Sequence, residues 1–109
     1  MQISTHDGVV VAVVLGEDCG QLWPAIEPHV TAGHKAVVVD LAQVDFLNSL
    51  NIAALISVQK KVSAAGGRLA LSNLKEPVRA VFRILRLERL FTLDHDRAAA
   101  QAAVRGQPS

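Results

Sequence analysis

Val37-Val38-Val39-Asp40-Leu41-Ala42-Gln43-Val44-Asp45-Phe46-Leu47-Asn48-Ser49-Leu50-Asn51-Ile52-Ala53-Ala54-Leu55 reads as a buried strand, a short loop and the opening of a helix. The valine run does not alternate with polar residues, the pattern of a parallel-sheet strand covered on both faces. The next residues mix turn formers with isolated apolar side chains. Ser49 stands at the junction of loop and helix. A hydroxyl there is suited to capping the unpaired backbone N–H groups of the first turn. The same N–H groups, with the positive end of the helix dipole, would also receive a phosphate carried on that hydroxyl.

On the N-terminal side, residues 3–6 predict a short strand, and Asp7-Gly8 a two-residue hairpin turn. Residues 9–15 form a second β-branched run, which Gly16 ends. Asp18 or Gly20 then opens a helix that carries Leu22, Ile26 and Val30 inward. Pro24 is tolerated in its first turn, whereas Pro28 is expected to kink or shorten it. Gly33 is a natural stop, and residues 36–40 are the next strand.

The helix opened at Ser49 is expected to run to about Ala65. Ile52, Leu55, Ile56 and Val62 form its inward stripe, interrupted only by Gln59. Leu50 is out of phase with that stripe and lines up with Ala54, Ser57 and Lys61, a second face suited to docking. Gly66-Gly67 ends the helix, and residues 68–72 predict a strand. Glu76-Pro77 opens the most amphipathic segment, with Val78, Val81, Phe82 and Leu85 on one side and Arg79, Arg83 and Arg86 on the other. Residues 90–93 predict a last strand. Asp94 or Asp96 would cap a final Ala-rich helix ending near Arg105, and residues 106–109 read as a frayed tail. The whole is an α/β fold: one domain over residues 1–105, a mixed sheet made of an N-terminal hairpin followed by βα units, covered by about four helices lying chiefly on one face.

The bulk properties exclude several functions. Half of the 109 residues are apolar, only 4% are aromatic, and tyrosine is absent. A net charge of +1 leaves no broad footprint for nucleic acid or an anionic membrane. No apolar run approaches the ~20 residues of a membrane span, and the N-terminus lacks a signal-peptide pattern. Lone Cys19 cannot pair within the chain, which fits a reducing, cytoplasmic setting. The four histidines His6, His29, His34 and His95 show no ligand spacing, so no metal is expected. Gly66-Gly67 precedes a strand rather than a helix, against a phosphate-binding loop. Asp40 and Asp45 flank the loop without a nearby histidine; they read as turn and backbone-bonding residues, and no catalytic set emerges. The arginines of the 79–89 segment are spaced as a solvated helix face. No cofactor is expected.

Residues 37–55, continued by Val58, by Gly66-Gly67-Arg68-Leu69-Ala70-Leu71 and by the 78–91 segment, resemble the STAS domain of bacterial anti-sigma-factor antagonists. With the hairpin and Gly16-Glu17-Asp18, the resemblance covers nearly the whole chain. The family pattern is a β-branched strand ending Asp-Leu, then Phe-x-Asp-Ser-Ser/Thr-Gly, an apolar helix, Gly-Gly and a strand. The resemblance implies a non-enzymatic, protein-binding module of transcriptional or signalling control. In the family, the first Ser of the motif is phosphorylated by a kinase that is itself the anti-sigma factor, and that Ser falls on Ser49. Asn48, Leu50 and Asn51 stand where the motif has Asp, Ser/Thr and Gly, and Arg86 stands where a Gly often precedes the last strand. Ser49 is thus the implied phospho-acceptor, with Asn48, Leu50, Asn51 and Ala54 as the implied partner surface. The implied partner is an anti-sigma factor with serine kinase activity. The alternative is an accessory or scaffold role beside the ATPase of a lipid-transport ABC system or in a signalling assembly.

Overall fold

The computed structural model describes residues 1–6, 8–15, 18–94 and 104. Five strands form one sheet in the order β1 (Gln2–His6), β2 (Val9–Leu15), β3 (Ala36–Gln43), β4 (Arg68–Ser72), β5 (Thr92–Asp94). β1 pairs antiparallel with β2, and every later pairing is parallel. Gly8, at φ 82°, supplies the positive φ that the hairpin turn needs; Asp7 lies outside the described residues. The mixed sheet with a leading hairpin is the architecture expected from the sequence.

The valine runs are apolar on both faces because both faces are covered. Val10, Ala12, Val14, Val37, Val39 and Leu41 meet the helices, while Val9, Val11, Val38 and Ala70 turn the other way and pack with Val104. Three helices, α1 (Leu22–Thr31), α2 (Ser49–Ala64) and α3 (Glu76–Ile84), contribute to the first cluster. The fourth helix expected after Asp94, and the tail at 106–109, fall outside the described residues, Val104 excepted.

Local differences from the sequence reading have physical causes. A 3-10 turn, Asp18–Gln21, precedes α1, which begins only at Leu22. α1 runs through Pro28 without shortening. α2 buries Asn51, Leu55, Val58 and Val62, leaving Ile52 and Ile56 half-buried on a flank. At ~100° per residue the buried four span only about 60° of the helix. The expected stripe was therefore rotated, because α2 is apolar around much of its circumference and its pattern sets no single phase. α3 buries Val78 and Phe82 as expected, but Leu85 lies past its last turn and is exposed. Phe82 meets Phe91 edge-on at 5.4 Å between ring centres, which ties α3 to the approach of β5.

Candidate functional site

The geometry around Ser49 begins with Asp40 at the end of the strand β3. Val13 pairs with Asp40 but Leu15 with Gln43, so β3 carries one extra residue over that span. The Asp40 carboxylate holds this bulge: one oxygen accepts the Ala42 N–H at 2.9 Å, the other the Asn73 side-chain amide at 3.0 Å. Asp40 is only 2% exposed. Its reading as a backbone-bonding residue is met. Asp45 instead pairs with Lys75 across to the start of α3, with both side chains exposed.

From the bulge the chain alternates between anchor and surface. Val44 and Leu47 are buried, while Asp45 and Phe46 face solvent, Phe46 at 57%. Asn48 then takes an extended conformation, and its side-chain oxygen accepts the Asn51 N–H at 2.8 Å. Asn48 is therefore the helix cap, and Ser49 is the first residue inside the helix. Leu47 before the cap and Ile52 at the fourth helical position pack on the same core, the hydrophobic staple that fixes where α2 enters.

The capping role considered for Ser49 is thus filled by its neighbour. Ser49 is exposed, and its hydroxyl makes no hydrogen bond among the described residues. The first turn of α2 contains no acidic residue. No Asp or Glu occurs at all between Phe46 and Lys75. Negative charge added at Ser49 would meet unpaired N–H groups and no opposing carboxylate in its own helix.

The other residues expected at the site separate into two groups. Asn48 and Leu50 are exposed, Leu50 at 79%, and Ala54 is half-buried one turn further on. Asn51 turns inward at 6% exposure, in ordinary helical geometry, and its side-chain NH2 is buried with no hydrogen-bond partner among the described residues. It underlies this surface rather than forming it. Phe46 belongs with the exposed group and was missed. In the sequence nothing separates it from the buried Leu47 beside it. No cluster of three or more metal-ligating side chains exists among the described residues.

The described residues thus form a small mixed α/β domain with an exposed serine and an exposed leucine at the N-terminus of α2. The family model described as "Mlab, STAS domain" matches residues 7–93, and the chain belongs to the STAS domain family. BtrV of Bordetella bronchiseptica, named as a candidate anti-sigma factor antagonist, is 33% identical over 101 residues, covering 89% of this chain and 87% of that protein. An anti-sigma factor antagonist from Mycobacterium paratuberculosis has a similar crystal structure, with TM-score 0.80, 29% identity and coverage of 95% of this chain and 92% of that one. SpoIIAA of Bacillus in its phosphorylated form shares the fold at TM-score 0.69 and 18% identity, over 94% and 97% of the two chains. This is a STAS domain of the anti-sigma-factor-antagonist type. No described helix is long and apolar enough to cross a membrane.

Proposed function

We propose that this domain is a protein-binding switch of the cytoplasm that docks a regulatory kinase through the N-terminus of α2 and is released by phosphorylation of Ser49. One observation carries the reading: Asn48 performs the capping, and Ser49 is exposed with its hydroxyl unbonded among the described residues. Asn48, Leu50 and Ala54 supply the contact, with Phe46 beside them and Asn51 supporting the turn from beneath.

The switch needs no refolding. Transfer of the γ-phosphoryl group of ATP to Ser49 Oγ would release ADP and a proton and add a charge of about −1.5 to −2. At its own helix end this charge is favourable by ~0.3–1 kcal/mol. Under a partner packed on Leu50, the same group would be buried without a counter-charge, at a cost of several kcal/mol. Each ~1.4 kcal/mol is tenfold in affinity, so binding is lost while the domain stays intact.

Incubation with candidate anti-sigma-factor serine kinases from its own organism, plus ATP, followed by mass-spectrometric mapping, tests the acceptor. Modification at Ser49 and loss of kinase binding in Ser49→Asp and Leu50→Asp are expected. Absence of phosphate at Ser49, with binding untouched by Ser49→Asp, would remove the switch. The departures at Asn48, Leu50 and Asn51 from the antagonist motif favour one second reading, a non-phosphorylated accessory subunit beside a transport ATPase. Leu50→Asp would then disrupt binding to that ATPase with no kinase involved.

A further inference from the structure

Each of the three helices brings the chain back to the end of the sheet where β2, β3, β4 and β5 begin. The charged residues at that end are mostly basic. Lys35 leads into β3, Lys60 and Lys61 lie near the end of α2, and Arg68 opens β4. Arg83, Arg86 and Arg89 follow between the last turn of α3 and β5. The described acids there are Glu27, one turn before the end of α1, and Glu88. Counting Asp7, next to Gly8 in sequence, makes three against seven. At the opposite end, Asp18, Asp40, Asp45, Glu76 and Asp94 stand against Lys75 alone. Arg79 lies within α3, and Asp7, Glu17, Asp96, Arg97 and Arg105 are outside the described residues. The net charge of +1 hides this division, because the fold sorts the two signs to opposite ends.

The basic end also carries two consecutive aliphatic side chains that the core leaves out. Ile84 is 76% exposed and Leu85 52%. Arg83, Arg86 and Arg89 around them are exposed too. Arg83 bonds Glu76 at 3.1 Å, whereas Arg86 and Arg89 make no ion pair among the described residues. Arg86, at φ 58°, turns the chain directly after Leu85. The N–H groups of Leu90 and Phe91 both bond the Leu87 carbonyl, and Phe91 packs on Phe82, so this turn is fixed to the core. β4 pairs with β5, which sets the exposed Arg68 beside the turn, and Lys35 accepts the Arg68 N–H at its carbonyl.

Side chains as exposed as Ile84 stand out from the surface instead of lining a cleft. Whatever covers them must yield to them and be negatively charged. A bilayer of acidic lipid meets both conditions, with an acyl boundary for the aliphatic pair and phosphates for the guanidinium groups. Nucleic acid meets only the second, and the two aromatic rings of this segment, Phe82 and Phe91, are buried and unable to stack on bases. We infer that this end of the domain rests on an anionic phospholipid surface, with Ile84 and Leu85 entering the headgroup boundary and Arg86 and Arg89, flanked by Arg68 and Lys35, on the phosphates. A small apolar insertion and a small basic cluster each bind weakly alone, so the attachment needs both and is reversible. α2 runs from Ser49 to Ala64, roughly 24 Å at ~1.5 Å per residue. Ser49 would therefore face away from the lipid, and the two surfaces are independent.

Cosedimentation of the full chain with vesicles of phosphatidylcholine alone, or mixed with phosphatidylglycerol, tests this. Binding to the mixed vesicles only, falling as salt rises, is expected. Arg86→Glu with Arg89→Glu should weaken it at least about tenfold, and the uncharged Ile84→Ser with Leu85→Ser by a similar factor. All four sites are exposed, and circular dichroism checks the fold of each variant. Leu50→Ser, at an equally bare leucine of the other end, and Ser49→Asp should leave vesicle binding unchanged. Absence of binding to the mixed vesicles at low salt, or equal binding to phosphatidylcholine, would overturn the proposal. So would an effect of the arginine pair with none of the Ile84-Leu85 pair, which would point to an occupant selected by charge alone, such as an acidic protein surface.

Discussion

Helices α2 and α3 start at the same edge of the sheet, after adjacent parallel strands, yet their first turns are built in opposite ways. α3 follows Lys75, which makes no side-chain cap bond; Pro77 opens the helix, and Glu76 places a carboxylate in its first turn. Glu76 also bonds Arg83 at 3.1 Å, so that helix end has its charges matched internally. α2 is capped by the neutral Asn48 side chain and has no acid in its first turn. The fold supplies α3 with its negative charge and leaves α2 without one. Of two neighbouring helix starts, the one at Ser49 is therefore the one whose first turn would gain more from an added negative charge.

Both starts hang on Asp40, so removing it is the strongest way to break the contrast. Asp40→Ala would leave the Ala42 N–H and the Asn73 amide without their shared acceptor and free the bulge that aims the Ser49 loop. A loss of about 2–4 kcal/mol is expected in denaturant unfolding. Unchanged stability would mean that the bulge, and with it the position of α2, is held by other contacts.

A smaller change separates the two adjacent polar residues at the start of α2. Asn48→Ala should cost ~1 kcal/mol, lowering the thermal midpoint by roughly 4–8 °C. Ser49→Ala should shift it by less than ~0.5 kcal/mol, since that hydroxyl bonds nothing among the described residues. Thermal unfolding followed by circular dichroism compares the pair directly. The reverse ranking would return Ser49 to the capping role and leave the switch without its free hydroxyl.

The sequence showed the strands clearly, since valine runs buried on both faces leave little room for another reading. It also placed Ser49 at the start of α2, where the structure has it. Which residue caps α2 was not legible, because Asn48 and Ser49 are both good caps. The choice falls to tertiary packing, through the burial of Leu47 and the extra residue in β3. The phase of α2 was hidden because the helix is apolar around much of its circumference: exposed Leu50 and half-buried Ala54, Ile52 and Ile56 surround the buried face. The same surplus placed Ile52 and Ile56 in the expected stripe and Val58 outside it. Arg86 presents the converse case. It holds φ 58°, ψ 31° where the family pattern often has glycine, so backbone geometry survives a substitution that the sequence alone would count as a departure.

The finest test of the contrast moves a carboxylate between the two helix starts. Ser49→Asp gives α2 the first-turn acid that α3 already has, and should stabilise the domain by ~0.3–1 kcal/mol. Glu76→Gln takes that acid from α3 and should destabilise by a similar amount, including the loss of an exposed ion pair that is itself worth little. Both effects should shrink in 1 M salt, where the Debye length is about 3 Å. Stabilisation of the isolated domain by Ser49→Asp, together with weaker partner binding, would place the whole effect of the charge at the interface. If Ser49→Asp instead destabilised the isolated domain, negative charge would act by loosening α2, and loss of binding would follow from local unfolding rather than from charge buried beneath a partner.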